Sequence, residues 1–189
     1  TNKDALIHDL EKKLKSLEKD LYLEAEQLSV IRKKAAKKLT ARIHEQLKEL
    51  YMDKTTFEVR FVQEPSKTNS FKYRKDGADQ IEFYISTNPG EPLKPLSKVA
   101  SGGELSRVML ALKTIFSKHQ GITSIIFDEV DTGVSGRVAQ AIAEKIYQVS
   151  INSQVMCISH LPQVAAMADS HLYIAKKSLG GRTSTSVTA

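Results

Sequence analysis

The sequence predicts an α/β protein: a mostly parallel sheet with flanking helices and an antiparallel strand region, preceded by one long coiled-coil helix. Three observations carry that prediction. Residues 1–52 contain neither glycine nor proline and repeat leucine at alternating steps of three and four. From Thr55 the apolar period changes to two. Beyond residue 101, strand-like and helix-like runs alternate, the pattern of parallel strands covered by helices.

The opening helix rests on Leu10, Leu14, Leu17, Leu21, Leu28, Ile31 and Ala35, with Leu39, Ile43, Leu47 and Leu50 continuing the stripe after a small phase shift. Sustained heptads with Lys and Glu elsewhere make a coiled-coil strand. Unbroken, such a helix would run ~70 Å. Its stripe needs a partner from another chain or from a further part of the same one. The cluster "RKKAAKK", Arg32 to Lys38, reads as a solvated basic face that could also meet phosphates. "TFEVRFV" alternates Phe57, Val59 and Phe61 against Glu58 and Arg60, a half-buried strand. "SFKYR" and "DQIEFYIST" read as two more, joined through a turn at Asp76-Gly77. "NPGEPLKP" is a connection. "TSIIFDE" reads as a buried strand, "SGRVAQAIAEKIYQVS" as an amphipathic helix, "SQVMCIS" as a strand and "LPQVAAMA" as a short helix. "SHLYIAKK" is a last strand that "SLGG" turns back into "RTSTSV". These boundaries divide the chain into an arm, 1–52, and a lobe, 53–189.

A chain of 189 residues with net charge +6 supports one or two cored domains, and its basic excess is compatible with nucleic acid without requiring it. One cysteine, Cys157, can make no intramolecular disulfide, which fits a reducing compartment. No apolar run approaches the ~20 residues that cross a bilayer, so no membrane partner is expected.

Three stretches carry chemistry. In "KVASGGELSRVMLALK", Ser101 is placed to cap a helix and Glu104 to complete a capping box. Gly102 and Gly103 fall in the first turn, where free N–H groups and the positive helix end accept an anion at close range. A well-capped helix whose glycines merely allow tight packing accounts for the same residues. In "SIIFDEVD", Asp128 and Glu129 stand at the C-terminal end of a buried strand, where parallel α/β sheets bind ligands. There an Asp can hold Mg²⁺ and the adjacent Glu can act as general base toward water. In "MCISHLPQ", His160 ends the next strand on the same rim, where its imidazole could donate to a terminal phosphate.

Taken in order, "SGGELSR", "IIFDEVD" and "ISHLPQV" resemble the signature motif, Walker B strand and switch histidine of an ATP-binding cassette ATPase head. With the preceding heptads, "DEVD" points to the branch related to structural maintenance of chromosomes (SMC) proteins, and within it to a bacterial DNA-repair subgroup. The resemblance covers essentially the whole chain and implies the C-terminal lobe of the head. It further implies that Ser101, Gly102, Gly103 and Glu104 face the γ-phosphate of ATP held by the opposite head. Asp128 would hold Mg²⁺ through water, Glu129 would activate the hydrolytic water, and His160 would sense the γ-phosphate. Residues Asp131 to Ser135 would form the D-loop at the dimer interface; the commoner pattern ends that loop in Asp, and Ser135 follows the subgroup instead. The implied partners are the N-terminal lobe of the same protein, a second head in a homodimer, and DNA, in the bacterial cytoplasm at the nucleoid.

No GxxxxGK(S/T) phosphate loop occurs. The family carries that loop in the N-terminal lobe, so the chain is expected to be an excised fragment, cut at its C-terminus inside a hairpin and without ATP turnover of its own. Two other readings compete. A metal-dependent phosphohydrolase or nuclease would use Asp128, Glu129, Asp131 and His160 without ATP. A purely structural coiled-coil dimerisation module would need only residues 1–52.

Overall fold

In the computed structural model the described residues are 2–64, 72–99, 102–121, 124–179 and 181–189, with the side chains of 2, 118–120 and 179 left aside. The chain forms two compact units: Thr1–His44 with Thr55–Lys98, and Glu45–Lys54 with Val99–Ala189. Both draw on helix α1, Asn2–Glu49, whose 48 residues contain no helix breaker. Tyr51 ends it in the left-handed region (φ 58°), with the Met52 N–H returning to the Leu47 carbonyl at 2.9 Å.

In the first unit, α1 lies on an antiparallel sheet of order β1-β2-β3: β1 Thr56–Gln63, β2 Asp79–Ser86 and β3 Lys94–Pro95. Phe57, Ala78 and Ile85 from the sheet side and Ala25 and Ile43 from the helix form its core. Phe57 stacks at a tilt on Phe83, centroids 5.4 Å apart, and its backbone N–H donates to His44 Nε2 at 3.1 Å. A buried polar knot adds to this apolar layer. Asp79 accepts from Ser29 Oγ at 2.9 Å and Gln63 Nε2 at 3.0 Å, with Arg32 Nη1 3.6 Å from its other oxygen. Arg32 thereby leaves the basic cluster for an ion pair, while Lys33, Lys34, Lys37 and Lys38 stay exposed.

The expected strand "SFKYR" is not found. Residues 70 and 71 lie outside the described residues; of the remaining three, Lys72 donates its backbone N–H to the Glu64 carbonyl at 2.9 Å and Arg74 forms an isolated bridge to Gly77 around the turn, without a strand. The reason is tertiary: a side chain on Gly77 (φ 108°) would begin 3.0 Å from Leu28 Cδ2, so the turn is pressed against α1. The third strand comes instead from "NPGEPLKP", where Lys94–Pro95 pairs with β2, an edge being the position that proline tolerates.

In the second unit, α2 spans Gly103–Gln120, β4 Ser124–Phe127, α3 Gly136–Ser150, β5 Gln154–Cys157 and α4 Pro162–Ala165. Strands β4 and β5 are parallel and in register, Ser124 opposite Gln154 through Phe127 opposite Cys157. The class is α/β as expected, with small sheets, and the parallel part among the described residues is this pair. Ala139, Ile142, Ala143 and Val149 of α3 are buried with Ile125 and Phe127 of β4. The alternate residues Ile126, Met156 and Ile158 are at least half exposed, at 68%, 52% and 50%. Buried Lys145 of α3 donates to Gln46 Oε1 at 2.7 Å and pairs with Glu49, tying α3 to the last turn of α1. The helix read over "LPQVAAMA" is a single turn, and the last two strands, β6 Tyr173–Leu179 and β7 Arg182–Thr188, form an exposed hairpin.

Candidate functional site

The site is assembled from the mouth of α2 and the loops that leave β4 and β5. Among the described residues the N-cap of α2 is Gly102, and the expected capping by Ser101 falls on a residue outside the described ones. The first helical hydrogen bond runs from the Ser106 N–H to the Gly102 carbonyl at 3.0 Å. Packing fixes this register. A side chain on Gly103 would begin 2.6 Å from the Thr132 carbonyl oxygen and 3.1 Å from Arg107 Nη1. Gly102 has no such neighbour: a Cβ there would meet nothing within 4 Å. One glycine is demanded by contact with the loop after β4, while the other leaves its backbone open. Glu104 is exposed in the first turn.

The chain leaves β4 at Phe127 with two exposed carboxylates, Asp128 and Glu129. Glu129 takes a left-handed backbone (φ 57°), uncommon for a residue with a side chain, and its carbonyl accepts from the Thr132 N–H at 3.3 Å in a tight turn. The turn drives Val130 and Asp131 inward, to 0% and 1% exposure. Asp131 Oδ2 accepts from Ser159 Oγ at 2.5 Å and from the His160 backbone N–H at 3.3 Å, with His160 Nδ1 at 3.7 Å. Asp131 therefore joins the loop after β4 to the loop after β5, and the exposed part of its own loop is Thr132, Gly133 and Ser135. The His160 ring remains 71% exposed on the rim that carries Asp128 and Glu129. Ser135 stands apart from these side chains as the extended N-cap of α3, without a side-chain capping bond.

Two participants were not singled out in the sequence. Ser159 acts through the bond just described. Arg107 is buried beneath the mouth of α2 and donates from Nη1 to the Thr132 carbonyl at 3.3 Å. Burial lowers its pKa, Glu104 partly opposing the shift. Its signal was a cation preceding the apolar run "VMLALK". Cys157, at the end of β5, is pushed up to about 11, chiefly by burial and then by the charges of Asp131 and Asp128, so it stays a neutral thiol rather than a nucleophile. Among the described residues no group of three or more His, Cys, Asp and Glu side chains is arranged to hold a metal ion.

No family model matches the chain. The DNA repair protein RecN of Halalkalibacterium halodurans is 64% identical over 188 residues, which is 100% of this chain and 33% of that protein. RecN of Bacillus subtilis is 60% identical over 195 residues, 98% of this chain and 34% of that protein. The chain thus spans about a third of the length of the curated relatives it matches. Among solved structures, the Smc head domain with a coiled coil and joint from Pyrococcus yayanosii superposes with a TM-score of 0.58 at 19% identity, over 98% of this chain and 33% of that one. An Smc head domain with an extended coiled coil from Pyrococcus furiosus, bound to the C-terminal domain of ScpA, gives 0.53 at 19% identity, over 98% and 42%. At such identity these likenesses establish the fold.

Proposed function

The chain is RecN-like from end to end, and from that premise we propose that it is one lobe of an ATPase head, with one coiled-coil arm, in a protein of DNA double-strand break repair. The observation that carries the reading is the clamp between the glycine mouth of α2 and the loop from β4, Gly103 against Thr132. It puts the open end of α2 against the loop that carries Asp128 and Glu129 out of β4, which supports reading that end as an anion site. We draw the arm as 1–52 and the lobe as 53–189, at the left-handed Tyr51 that ends α1.

The residues fit a magnesium nucleotide. Gly102 leaves room for a phosphate, and buried Arg107 Nε has no hydrogen-bond partner. The single exposed carboxylate of Asp128 suits Mg²⁺, which keeps most of its ligands as water and phosphate oxygens. Asp128 would hold that ion, which would supply neutralisation of phosphate charge when bound. Gly102, Gly103 and Glu104 would present their backbone to the terminal phosphate of ATP bound by the opposite head, and Ser101, outside the described residues, is assigned there by the resemblance alone. Glu129 accepts the proton of the attacking water at its carboxylate. His160, its backbone fixed by Asp131, offers an imidazole N–H to the same phosphate. The nucleotide's other contacts come from the N-terminal lobe, and engagement of two heads around ATP couples hydrolysis to holding or moving DNA at the nucleoid.

A metal-dependent nuclease would need Asp131 as a ligand, and that carboxylate is buried and committed to Ser159 and His160. The test is Mg-ATP hydrolysis by the full-length protein and its Glu129→Gln variant, with head engagement followed by light scattering. We expect turnover to fall at least about 100-fold while ATP binding persists and engaged dimers accumulate. Turnover in the variant at the unaltered rate overturns the role of Glu129. Hydrolysis by the present chain without an N-terminal lobe overturns the split head.

A further inference from the structure

The mouth of α2 contains a positive charge that no described residue neutralises. Arg107 is 8% exposed and sits one turn into the helix. Its Nη1 spends one hydrogen bond on the Thr132 carbonyl, and its Nε is buried without a partner. Glu104 lies one turn earlier and is exposed; it acts on Arg107 through its field and not as an ion pair.

Such a placement is unfavourable on two independent counts. A guanidinium taken out of water without a counter-ion forfeits its hydration. A cation in the first turns of a helix opposes the macrodipole, which favours cations at the other end. An anion at the mouth relieves both at once. The room for it exists, since the backbone at Gly102 is open where Gly103 is closed by Thr132 and Arg107.

We infer that Arg107 is a positioning residue of the anion site at the mouth of α2: it pins the glycine turn to the loop after β4 and supplies the buried charge that the terminal phosphate of a nucleoside triphosphate neutralises. This rests on the ATPase reading above. It adds a residue that acts through Gly103 and the field at the helix end, without touching the phosphate.

The experiment compares full-length protein carrying Arg107→Met or Arg107→Lys, each in a Glu129→Gln background so that engaged dimers persist. Melting temperature is measured without nucleotide and with Mg-ATP, and dimerisation is titrated with Mg-ATP. Without nucleotide the Met variant is expected to melt at or above the parent, because an uncompensated charge is gone. Its Mg-ATP-induced rise in melting temperature shrinks, and the ATP concentration for half-dimerisation increases at least tenfold. Lys, which keeps the charge and loses the fork, recovers most of that loss. A Met variant that dimerises at the parent's ATP concentration overturns the inference, as does a Lys variant as defective as Met. If the parent itself shows no ATP-dependent dimer, the ATPase reading falls, an outcome distinct from either of these.

Discussion

A side chain on Gly103 would begin 2.6 Å from the carbonyl oxygen of Thr132, whereas one on Gly102 would meet nothing within 4 Å. The two residues therefore answer differently to the same change. Gly103→Ala forces either the helix or the loop after β4 to move, an overpacking strain of about 1–3 kcal/mol, and we expect it to lower the urea midpoint. Gly102→Ala leaves the unfolding free energy within about 0.5 kcal/mol of the parent and weakens Mg-ATP-dependent dimerisation instead. Equal loss of stability in both would mean that the open backbone at Gly102 has no special task. At this scale the motif residues were legible in the sequence and their arrangement was not. "SGGELSR" announces a glycine helix end, but which glycine caps it depends on Thr132, 29 residues further along the chain. Asp131 and Ser159 likewise meet only once β4 and β5 are side by side. Arg107 carries no local signal that separates it from a solvated cation.

Elements whose stability is local were legible and those made by neighbours were not. The heptads of α1, the alternation of β1 and the apolar run of β4 each state their period within a few residues. β3 is two residues of a proline-rich connection, recruited because the edge of β2 was free. "SFKYR" has the right composition for a strand, yet its turn is pressed against α1 at Gly77 and tied to the start of β2 by Arg74, which donates to the Asp79 carbonyl at 2.7 Å. Asp79 is the point on which that arrangement turns. Asp79→Ala would leave the buried Ser29 hydroxyl and the half-buried Gln63 amide without their acceptor and Arg32 without its counter-charge, a cost of about 2–4 kcal/mol. The expected readout is faster amide hydrogen exchange across β1 and β2, with exchange in α3 unchanged. Unaltered exchange in β1 and β2 would show that the apolar contacts of Phe57 and Ile85 suffice to hold helix and sheet together.

At the scale of the whole chain, what stands out is how much apolar surface is uncovered. Leu10, Leu14, Leu17 and Leu21 along α1 are 47–65% exposed, and Ile126, Met156 and Ile158 form an open face on a parallel sheet, a type that folded proteins bury on both sides. The chain spans about a third of its curated relatives, and a second lobe and a second arm would cover these surfaces. We expect the isolated chain to associate with rising concentration in sedimentation velocity. The double change Ile126→Thr with Met156→Thr should reduce that association, as should addition of the N-terminal lobe. Association unmoved by either would assign it to the leucine stripe alone.

The open sheet face also has a consequence in time. If its cover comes from a segment separated from it by the length of a coiled coil, closing the sheet is among the least local pairings the molecule makes, and non-local pairings form slowly. During synthesis two adhesive half-sheets would wait for each other, a window in which a chaperone, or the wrong neighbour on a crowded polysome, has the first opportunity to bind.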